Sequence, residues 1–286
     1  MEQMIINGVI LGANYALIAL GITLIFAIMN ILNFAHGQMY MLGGFVVYYL
    51  FGRYHVNFLV SLVAAAAVLA GIGVLFEVAF FRRVLRMSTR EENSMLGAMG
   101  TALVLEAIAL VAFGEKQRGT PPIAPGVFKI GDAFIPASRA WVFLIAVILI
   151  AALLLFVRYT KPGRALRALA QDKEVTRLMG VDSGRTSALG FGIGAGLAGI
   201  AGALLVTIFA VNAGAGTSIS VKAFIMIMIG GAGVTWGAIL GAFALGLAEA
   251  IGYQLIPGTI TYLFIFIALI LFLIARPQGI MGKPWG

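Results

Sequence analysis

The sequence contains no cysteine, two histidines and few charged residues. The lack of cysteine excludes disulfides, thiolate metal sites and covalently attached haem. With only His36 and His55 available, we expect no dedicated metal site. Charged residues make up 10% of the 286 positions, whereas soluble domains contain about 25%. The chain therefore resembles neither a disulfide-stabilised secreted domain nor an ordinary soluble enzyme.

Apolar residues dominate instead. They account for 62% of the chain, and the mean hydropathy is +1.05. Several spans of about 20 residues fit within this length, and the 37 glycines suit membrane helices that pack through small side chains. We therefore expect an all-α integral membrane protein, with residues 1–286 forming a single polytopic transmembrane domain. Its bundle should contain eight or nine transmembrane helices, some of them broken or re-entrant.

The apolar runs mark where these helices should lie. Longer spans are expected at residues 4–29, 56–81, 94–113, 141–157, 188–211, 238–255 and 259–275. Two shorter apolar pieces lie after residue 38 and at 222–229. Whether each of them crosses the membrane determines if the total is eight or nine crossings. Between residues 30 and 38, four polar side chains interrupt the apolar character without a true loop: Asn30, Asn33, His36 and Gln38. This pattern indicates a broken helix, whose polar residues either line a pathway or cap free backbone groups.

Arg158 to Arg185 is the longest polar stretch and contains seven basic residues. Thr160 before Pro162 predicts a helix start, and Gly180 predicts a helix end. A break near residues 171–174 favours two short helices, each with an apolar side. This organisation favours a docking element, although an ordinary positively charged loop would share its composition.

The distribution of basic residues predicts the orientation. Thirteen of the nineteen lysines and arginines lie in three places: the loop with Arg82, Arg83, Arg86 and Arg90, the loop 158–185, and the carboxy-terminal tail. These places should share the cytoplasmic face. The proline-containing loop 114–138, with a short strand pair around 127–135, is then external. The amino terminus should lie outside and the carboxy terminus inside.

Glycine patterns in this chain favour helix packing over nucleotide binding. The GxGxxG at Gly194, Gly196 and Gly199 lies inside an apolar span, and Gly237 and Gly241 have small-xxx-small spacing. No GxxxxGK[ST] motif occurs in the sequence, so the chain has no phosphate-binding loop of that kind. We also find no convincing nucleophile–base or paired-carboxylate arrangement, and we do not expect an enzyme.

Carboxylates within apolar runs are candidate functional residues. Glu106 and Glu249 lie inside their spans, where a charge costs about 2.5–3.5 kcal/mol on insertion scales. Such residues face the bundle interior or water. They could line a pathway or gate, or they could be protonated or hydrogen-bonded to fix helix packing.

Four motifs resemble the permeases of branched-chain amino acid ABC importers, specifically the shorter of the two related permeases. They are NFAHGQMYMLGG (33–44), GRALRALAQDKEVTRLMGVD (163–182), GGAGVTWGAILGA (230–242) and ARPQGIMG (275–282). The resemblance implies a bundle of the vitamin B12 and ribose importer type. It also implies a homologous second permease, two cytoplasmic ATPases that bind ATP and magnesium, and a periplasmic binding protein.

The same resemblance implies that the segment 163–180 docks into the ATPase. The residues carried over to this coupling role are Gly163, Arg164, Arg167, Asp172, Arg177 and Gly180. No cofactor is expected in this chain itself, and membrane lipid rather than nucleic acid is its expected surrounding.

Our hypothesis is ATP-driven import of a small amino acid, most readily a branched-chain one, across a bacterial inner membrane. The candidate pathway residues are Asn14, Asn33, His36, Gln38, Glu106 and Glu249. One alternative is an ABC permease for urea, short amides or small carboxylates. Another is an ion-coupled secondary transporter in which Glu106 and Glu249 carry the coupling protons. A third class is a non-transporting membrane anchor or scaffold. The polar breaks in the spans argue against this class.

Overall fold

The computed structural model describes residues 1–87, 91–131, 133–255 and 258–282, so Arg90 lies outside the described residues. Twelve helices and one strand pair occur in these ranges: α1 (Glu2–Met29), α2 (His36–Val47), α3 (Phe58–Phe76), α4 (Arg82–Met87), α5 (Glu91–Phe113), β1 (Val127–Ile130), β2 (Ala133–Pro136), α6 (Ala137–Tyr159), α7 (Lys161–Gln171), α8 (Lys173–Leu178), α9 (Ser183–Leu205), α10 (Ala215–Gly230), α11 (Thr235–Leu255) and α12 (Gly258–Ala275). π-Helical turns extend α2 over Tyr48–Arg53 and join α3 to α4 over Glu77–Phe81.

Among the described helices, six are long and apolar enough to cross a membrane, and 215–230 and 260–275 are shorter apolar helices. The expected all-α polytopic fold is therefore confirmed. Several boundaries differ from the sequence prediction; α9, for example, ends at Leu205 rather than at residue 211. Asp182 caps α9 and starts it at Ser183, five residues earlier than its apolar run suggested. α10 starts at Ala215 rather than Lys222, because its first turns consist of small polar residues that a hydropathy pattern overlooks.

The two ends of the bundle differ in character. At the end that we call the hairpin end, β1 and β2 pair antiparallel near the start of α1, and the backbone N–H of Phe134 donates to Gln3. At the opposite, basic end lie the last turn of α1, the loop 158–185 and the segment 276–282. That last segment pairs with the end of α10 through the N–H of Ile280 and the carbonyl of Ile229. The antiparallel pairing of β1 with β2 at the hairpin end confirms the predicted strand pair.

The predicted helix break is present between α1 and α2. α1 ends at Asn30, which adopts the left-handed conformation at φ 56°. The Asn33 side chain then accepts a hydrogen bond from the N–H of Ala35 at 3.0 Å. α2 begins at His36, whose Nε2 lies 3.3 Å from the carbonyl oxygen of Ile18, halfway along α1. The chain therefore returns into the bundle as irregular backbone, which at such depth is tolerated against protein or water.

A second break of the same form separates α9 from α10. Asn212 precedes the first residue of α10 by three positions, as Asn33 precedes His36. In both breaks the asparagine carbonyl accepts from the N–H three residues later, at 3.1 Å for Asn212 and 3.2 Å for Asn33. The helices also run in opposite directions, since α1 goes from the hairpin end to the basic end and α9 returns. The two halves therefore contain matching breaks in helices of opposite direction, an arrangement typical of inverted repeats.

The packing between the halves is reciprocal. α1 packs most extensively on α11, and α9 packs most extensively on α3. α1 and α9 cross each other at Gly21 and Gly194, where a Cβ on either glycine would lie 2.6–2.7 Å from the carbonyl oxygen of the other. The remaining glycines of the GxGxxG motif contact α3 and α2. This confirms that the motif serves helix packing.

The two breaks meet in the interior. Ser220 of α10 donates to the carbonyl of Phe34 at 2.8 Å and accepts from the N–H of Gly37 at 3.1 Å. It thereby satisfies an N–H in the first turn of α2 that has no partner within that helix. Gly37 and Gly216 lie so close that a side chain on either would collide with the other half-helix. The amino termini of α2 and α10 are consequently in direct contact.

Candidate functional site

A cavity of about 550 Å³ extends into the bundle from the hairpin end, and we call it the outer cavity. Asn7 and Arg139 line it near that end, with the Arg139 guanidinium donating to Asn7 Oδ1 at 2.9 Å. Tyr15, Lys222 and Glu249 also line it. The outer cavity therefore leads from the hairpin end to a charged group in the interior.

The charged group is an ion pair in the bundle interior, and a tyrosine hydroxyl is hydrogen-bonded to both of its members. Lys222 Nζ lies 2.9 Å and 3.1 Å from the two oxygens of Glu249. It also donates to the hydroxyl of Tyr15 at 2.7 Å, and this hydroxyl donates to Glu249 at 2.8 Å. Glu249 is 1% exposed. Removal of one charge from such a pair leaves the other uncompensated, so the pair acts as a unit.

Glycine contacts place these residues together. A Cβ at Gly246 of α11 would lie 2.6 Å from the backbone nitrogen of Gly12 in α1. The two helices are antiparallel, so Tyr15 and Glu249 lie nearly one turn to either side of this close approach, and their long side chains bridge the distance. Lys222 enters from α10 and lies over the rings of Tyr15 and Tyr262, 5.2 Å and 5.1 Å from their centroids. Both rings stabilise the ammonium group from their faces.

A second cavity, of about 350 Å³, lies between α10, α11 and α12 beside the ion pair, and we call it the inner cavity. It opens to the surface of the chain at Thr217 and Val221. It shares four lining residues with the outer cavity: Ser218, Lys222, Glu249 and Tyr262. Its remaining lining consists of the polar Thr217 and five apolar residues: Val221, Ile225, Leu245, Ile265 and Phe266. The ion pair therefore separates a cavity with polar groups near the bundle end from one with mainly aliphatic and aromatic walls.

Glu106 belongs to a second polar cluster. Its carboxylate accepts a short hydrogen bond from the Thr217 hydroxyl and a longer one, 3.4 Å, from the Gln38 side chain. Gln38 also donates to Thr217 at 3.3 Å. Thr217 and Ser218 are exposed on the surface of the chain, although their helix is apolar. A polar patch on an apolar helix must face water or another protein surface rather than lipid.

The structure assigns the six predicted pathway residues to different environments. It brings Gln38 and Glu106 together and places Glu249 at the junction of the cavities. Asn33 caps the helix break, and His36 contacts α1. Asn14 is completely buried, and its carboxamide has no hydrogen-bond partner among the described residues.

Sequence reasoning missed Lys222 and Tyr15 as partners of Glu249. A lysine inside a short apolar helix was an available signal, because an intramembrane cation normally pairs with a carboxylate. Which carboxylate it pairs with depends on the packing of α10 against α11. Within the described part of the chain, no three histidine, cysteine, aspartate or glutamate side chains are grouped to hold a metal.

At the basic end, capping residues organise the predicted pair of short helices. Thr160 accepts from the N–H of Gly163 and starts α7, with Pro162 in its first turn. Asp172 ends α7 and caps α8, accepting from the N–H groups of Glu174 and Val175. Gly180, with φ +81°, follows α8. Both short helices and their predicted signals are confirmed.

The two short helices differ in exposure. α7 buries its apolar residues Leu166 and Leu169 against the bundle. Gly163 is also buried, where a Cβ would lie 2.7 Å from the Cα of Val157. On α8 and directly after it, however, Leu178 is 87% exposed and Met179 79% exposed. The loop therefore presents an apolar surface beyond the end of the bundle.

The charged residues of this loop are largely exposed, and some hold the loop in shape. Arg167 donates to the carbonyl of Arg158, and Arg177 donates to the Ser183 hydroxyl. Arg164 is exposed, with its backbone N–H bonded to Thr160.

The two basic loops meet nearby through Arg82. Its guanidinium lies 2.8 Å from the carboxylate of Glu77 and donates to the carbonyl of Gly184 at 2.9 Å. A π-helical turn makes the contact between Glu77 and Arg82 possible. These residues are five positions apart, a separation that an α-helix places on different faces. The wider π turn over Glu77–Phe81 returns them to one face, and Glu77 is 2% exposed. This ion pair is remote from both cavities, since it lies at the basic end.

Comparison with known proteins places these features in context. Residues 4–274 match the family described as branched-chain amino acid transport system, permease component. The chain is 34% identical to the high-affinity branched-chain amino acid transport system permease protein BraD of Pseudomonas aeruginosa, with coverage of 99% of this chain and 96% of that protein. It is 31% identical to the permease protein LivH of Escherichia coli, with the same coverage. A metal-chelate type ABC transporter, solved in an inward-facing conformation, superposes with a TM-score of 0.47 at 13% identity, over 96% of this chain and 85% of that one.

Proposed function

We propose a function on one premise: the chain belongs to the family of permease components of branched-chain amino acid transport systems. On this premise, it forms the membrane-spanning path of an ATP-binding cassette importer and moves a branched-chain amino acid inward. The observation that carries the proposal is a family match along nearly the whole chain. The helical bundle and the two cavities support it, because they provide a route from the hairpin end into the interior.

The energy source in this proposal is ATP hydrolysed by separate cytoplasmic subunits. The support is the apolar surface at Val175, Leu178 and Met179, which lies beyond the bundle on a capped helix. An exposed apolar cluster of this kind outside the membrane suits a protein partner. Two ATPase subunits would each require one such helix, and a homologous second permease would supply the other.

The orientation follows the distribution of basic residues. In the described chain, Gln3 bonds to Phe134 at the hairpin end and Ile280 bonds to Ile229 at the basic end, so the amino terminus and the segment 276–282 lie at opposite ends. The basic end would face the bacterial cytoplasm. The hairpin end would face outward and receive the amino acid from a periplasmic binding protein.

The second permease would cover the polar cluster of Glu106 and Thr217. This cluster reaches the surface of an isolated chain, where lipid would not satisfy it. The inner cavity includes Thr217, so the ion pair and the Glu106 cluster lie along one continuous route. The pathway would therefore pass from the outer cavity to the interface between the two permeases.

The experiment is reconstitution of the chain with the second permease, the ATPases and the binding protein in proteoliposomes. Leucine uptake should require ATP and should persist when ion gradients are abolished. Uptake that continues without ATP but is lost with an ion gradient would favour the ion-coupled alternative and contradict the proposal.

A pair of variants tests the docking surface. Leu178→Glu with Met179→Glu should reduce retention of the ATPases roughly tenfold or more, because apolar anchors dominate such interfaces. Gln171→Glu provides the control, since it adds charge to an exposed position in the same loop without removing apolar surface. Equal retention by both variants would show that the α8 surface is not the ATPase contact.

A further inference from the structure

The junction between the two cavities combines opposite charges with an apolar wall. Lys222 and Glu249 contribute to both cavities, and each is directed toward the other. An α-amino acid has the same combination of groups: one ammonium, one carboxylate and, in the branched-chain members, an aliphatic side chain. We propose that this junction is an amino acid binding site within the permease, in which Lys222 binds the substrate carboxylate and Glu249 binds the substrate ammonium. This inference rests on the proposed function and adds a site to it.

Charge balance supports a zwitterion as the ligand. The site by itself is neutral, because the lysine and the glutamate compensate each other at 2.9 Å. A zwitterion inserted between them gives each protein charge a new partner of opposite sign. An anion or a cation alone would leave one protein charge without compensation, which is costly for a buried group such as Glu249. The site should therefore discriminate against analogues that lack either charged group.

The aromatic rings explain how the lysine can exchange partners without leaving the site. The ammonium of Lys222 lies over the rings of Tyr15 and Tyr262 and also donates to the Tyr15 hydroxyl. The two ring contacts do not involve Glu249, although the Tyr15 hydroxyl also donates to its carboxylate. They would hold Lys222 in position while its carboxylate partner changes from the protein to the substrate.

The inner cavity provides the apolar complement. Val221, Ile225 and Leu245 line it beside the charged pair, together with residues of α12. Its volume of about 350 Å³ is larger than a branched aliphatic side chain. Each methylene buried there should improve binding by about fourfold. The arrangement therefore favours leucine-like ligands over glycine.

The experiment measures saturable binding of radiolabelled L-leucine to the full chain in lipid nanodiscs. Competitors remove one feature at a time: leucinamide lacks the carboxylate, 4-methylpentanoate lacks the ammonium, and glycine lacks the side chain. Unlabelled leucine should compete at least roughly tenfold better than each of them, because each loses a charge-assisted contact or the apolar contact.

The decisive variant is Lys222→Met together with Glu249→Met. Replacement of both charges by apolar residues leaves no buried charge uncompensated, so the fold should survive. This variant should lose the preference for leucine over leucinamide and 4-methylpentanoate. Glu77→Met with Arg82→Met is the matched control, a buried ion pair at the basic end, and it should keep the preference.

A second pair of variants tests the apolar part. Val221→Trp would fill the inner cavity and should weaken leucine binding more than glycine binding. Leu240→Trp, at a similarly exposed position of α11 that lines neither cavity, should change neither.

The outcomes separate this inference from the proposed function. Absence of saturable leucine binding by the natural chain, or retained discrimination in the double variant, would overturn the binding site even if the assembled transporter imports leucine. Leucine binding with the expected discrimination, but no ATP-driven uptake by the assembled transporter, would support the site and contradict the proposed function.

Discussion

The crossing of α1 and α9 allows a prediction that can be worked out from distances. In Gly21→Ala the new Cβ would lie 2.6 Å from the carbonyl oxygen of Gly194 and 3.0 Å from Cε1 of His36. Close contacts between carbon and a carbonyl oxygen start at about 3.3 Å. The two helices must therefore separate by roughly 0.7 Å at the point where both are fully surrounded by protein.

Such overpacking costs about 1–3 kcal/mol. Alanine restores about 0.5–1 kcal/mol of helix stability relative to glycine, so a net loss of up to about 2.5 kcal/mol is expected. Gly71→Ala is the matched control, because Gly71 lies on an exposed part of α3 and the Cβ that alanine adds there would have no neighbouring atom within 4 Å. This control should gain stability by about 0.5–1 kcal/mol.

Thermal unfolding of both variants in detergent measures the difference. The midpoint should fall for Gly21→Ala and rise or remain level for Gly71→Ala. If the midpoint of Gly21→Ala is not below that of Gly71→Ala, the close crossing of α1 and α9 is wrong, and glycine does not set the distance between the two halves.

Three further predictions concern charged residues. Arg82→Met alone should destabilise the chain more than the double variant with Glu77→Met, because it leaves a buried carboxylate without a partner; thermal unfolding compares the two, and equal midpoints would contradict the role of the pair. Hydrogen bonds from the backbone N–H groups of Arg185 and of the preceding glycine lower the pKa of Asp182, so its capping contribution should be present above the unfolded pKa and be lost as the pH falls through the folded pKa. Asp182→Asn should remove this pH dependence of the unfolding midpoint, and an unchanged pH profile would contradict it. Glu106→Gln should retain ATPase binding but reduce leucine uptake in proteoliposomes, and full uptake would exclude Glu106 from the pathway.

Local signals made much of the fold predictable. Thr160 with Pro162, and Gly180 at positive φ, each act within one helical turn, so the sequence reveals the short helices that they bound. The cluster of polar residues from Asn30 onward likewise indicated the broken helix, because its effect on the backbone is local.

The candidate site depends on contacts between distant parts of the chain. Lys222 and Glu249 belong to adjacent helices, and Tyr15 comes from the opposite end of the sequence. Hydropathy records how apolar each segment is but not which faces meet. The depth of Glu106 and Glu249 was therefore predictable, whereas their separation into two clusters required the packing of α10 against α2 and α11.

The contact between the starts of α2 and α10 has an electrostatic consequence. Each helix dipole places roughly half a positive charge at its amino terminus, and here two such termini converge at Gly37 and Gly216. Glu106 lies beside them, hydrogen-bonded to Thr217 and Gln38 in their first turns. Together these two half-charges match the single negative charge of one carboxylate, so the convergent termini suit the acidic side chain that lies beside them.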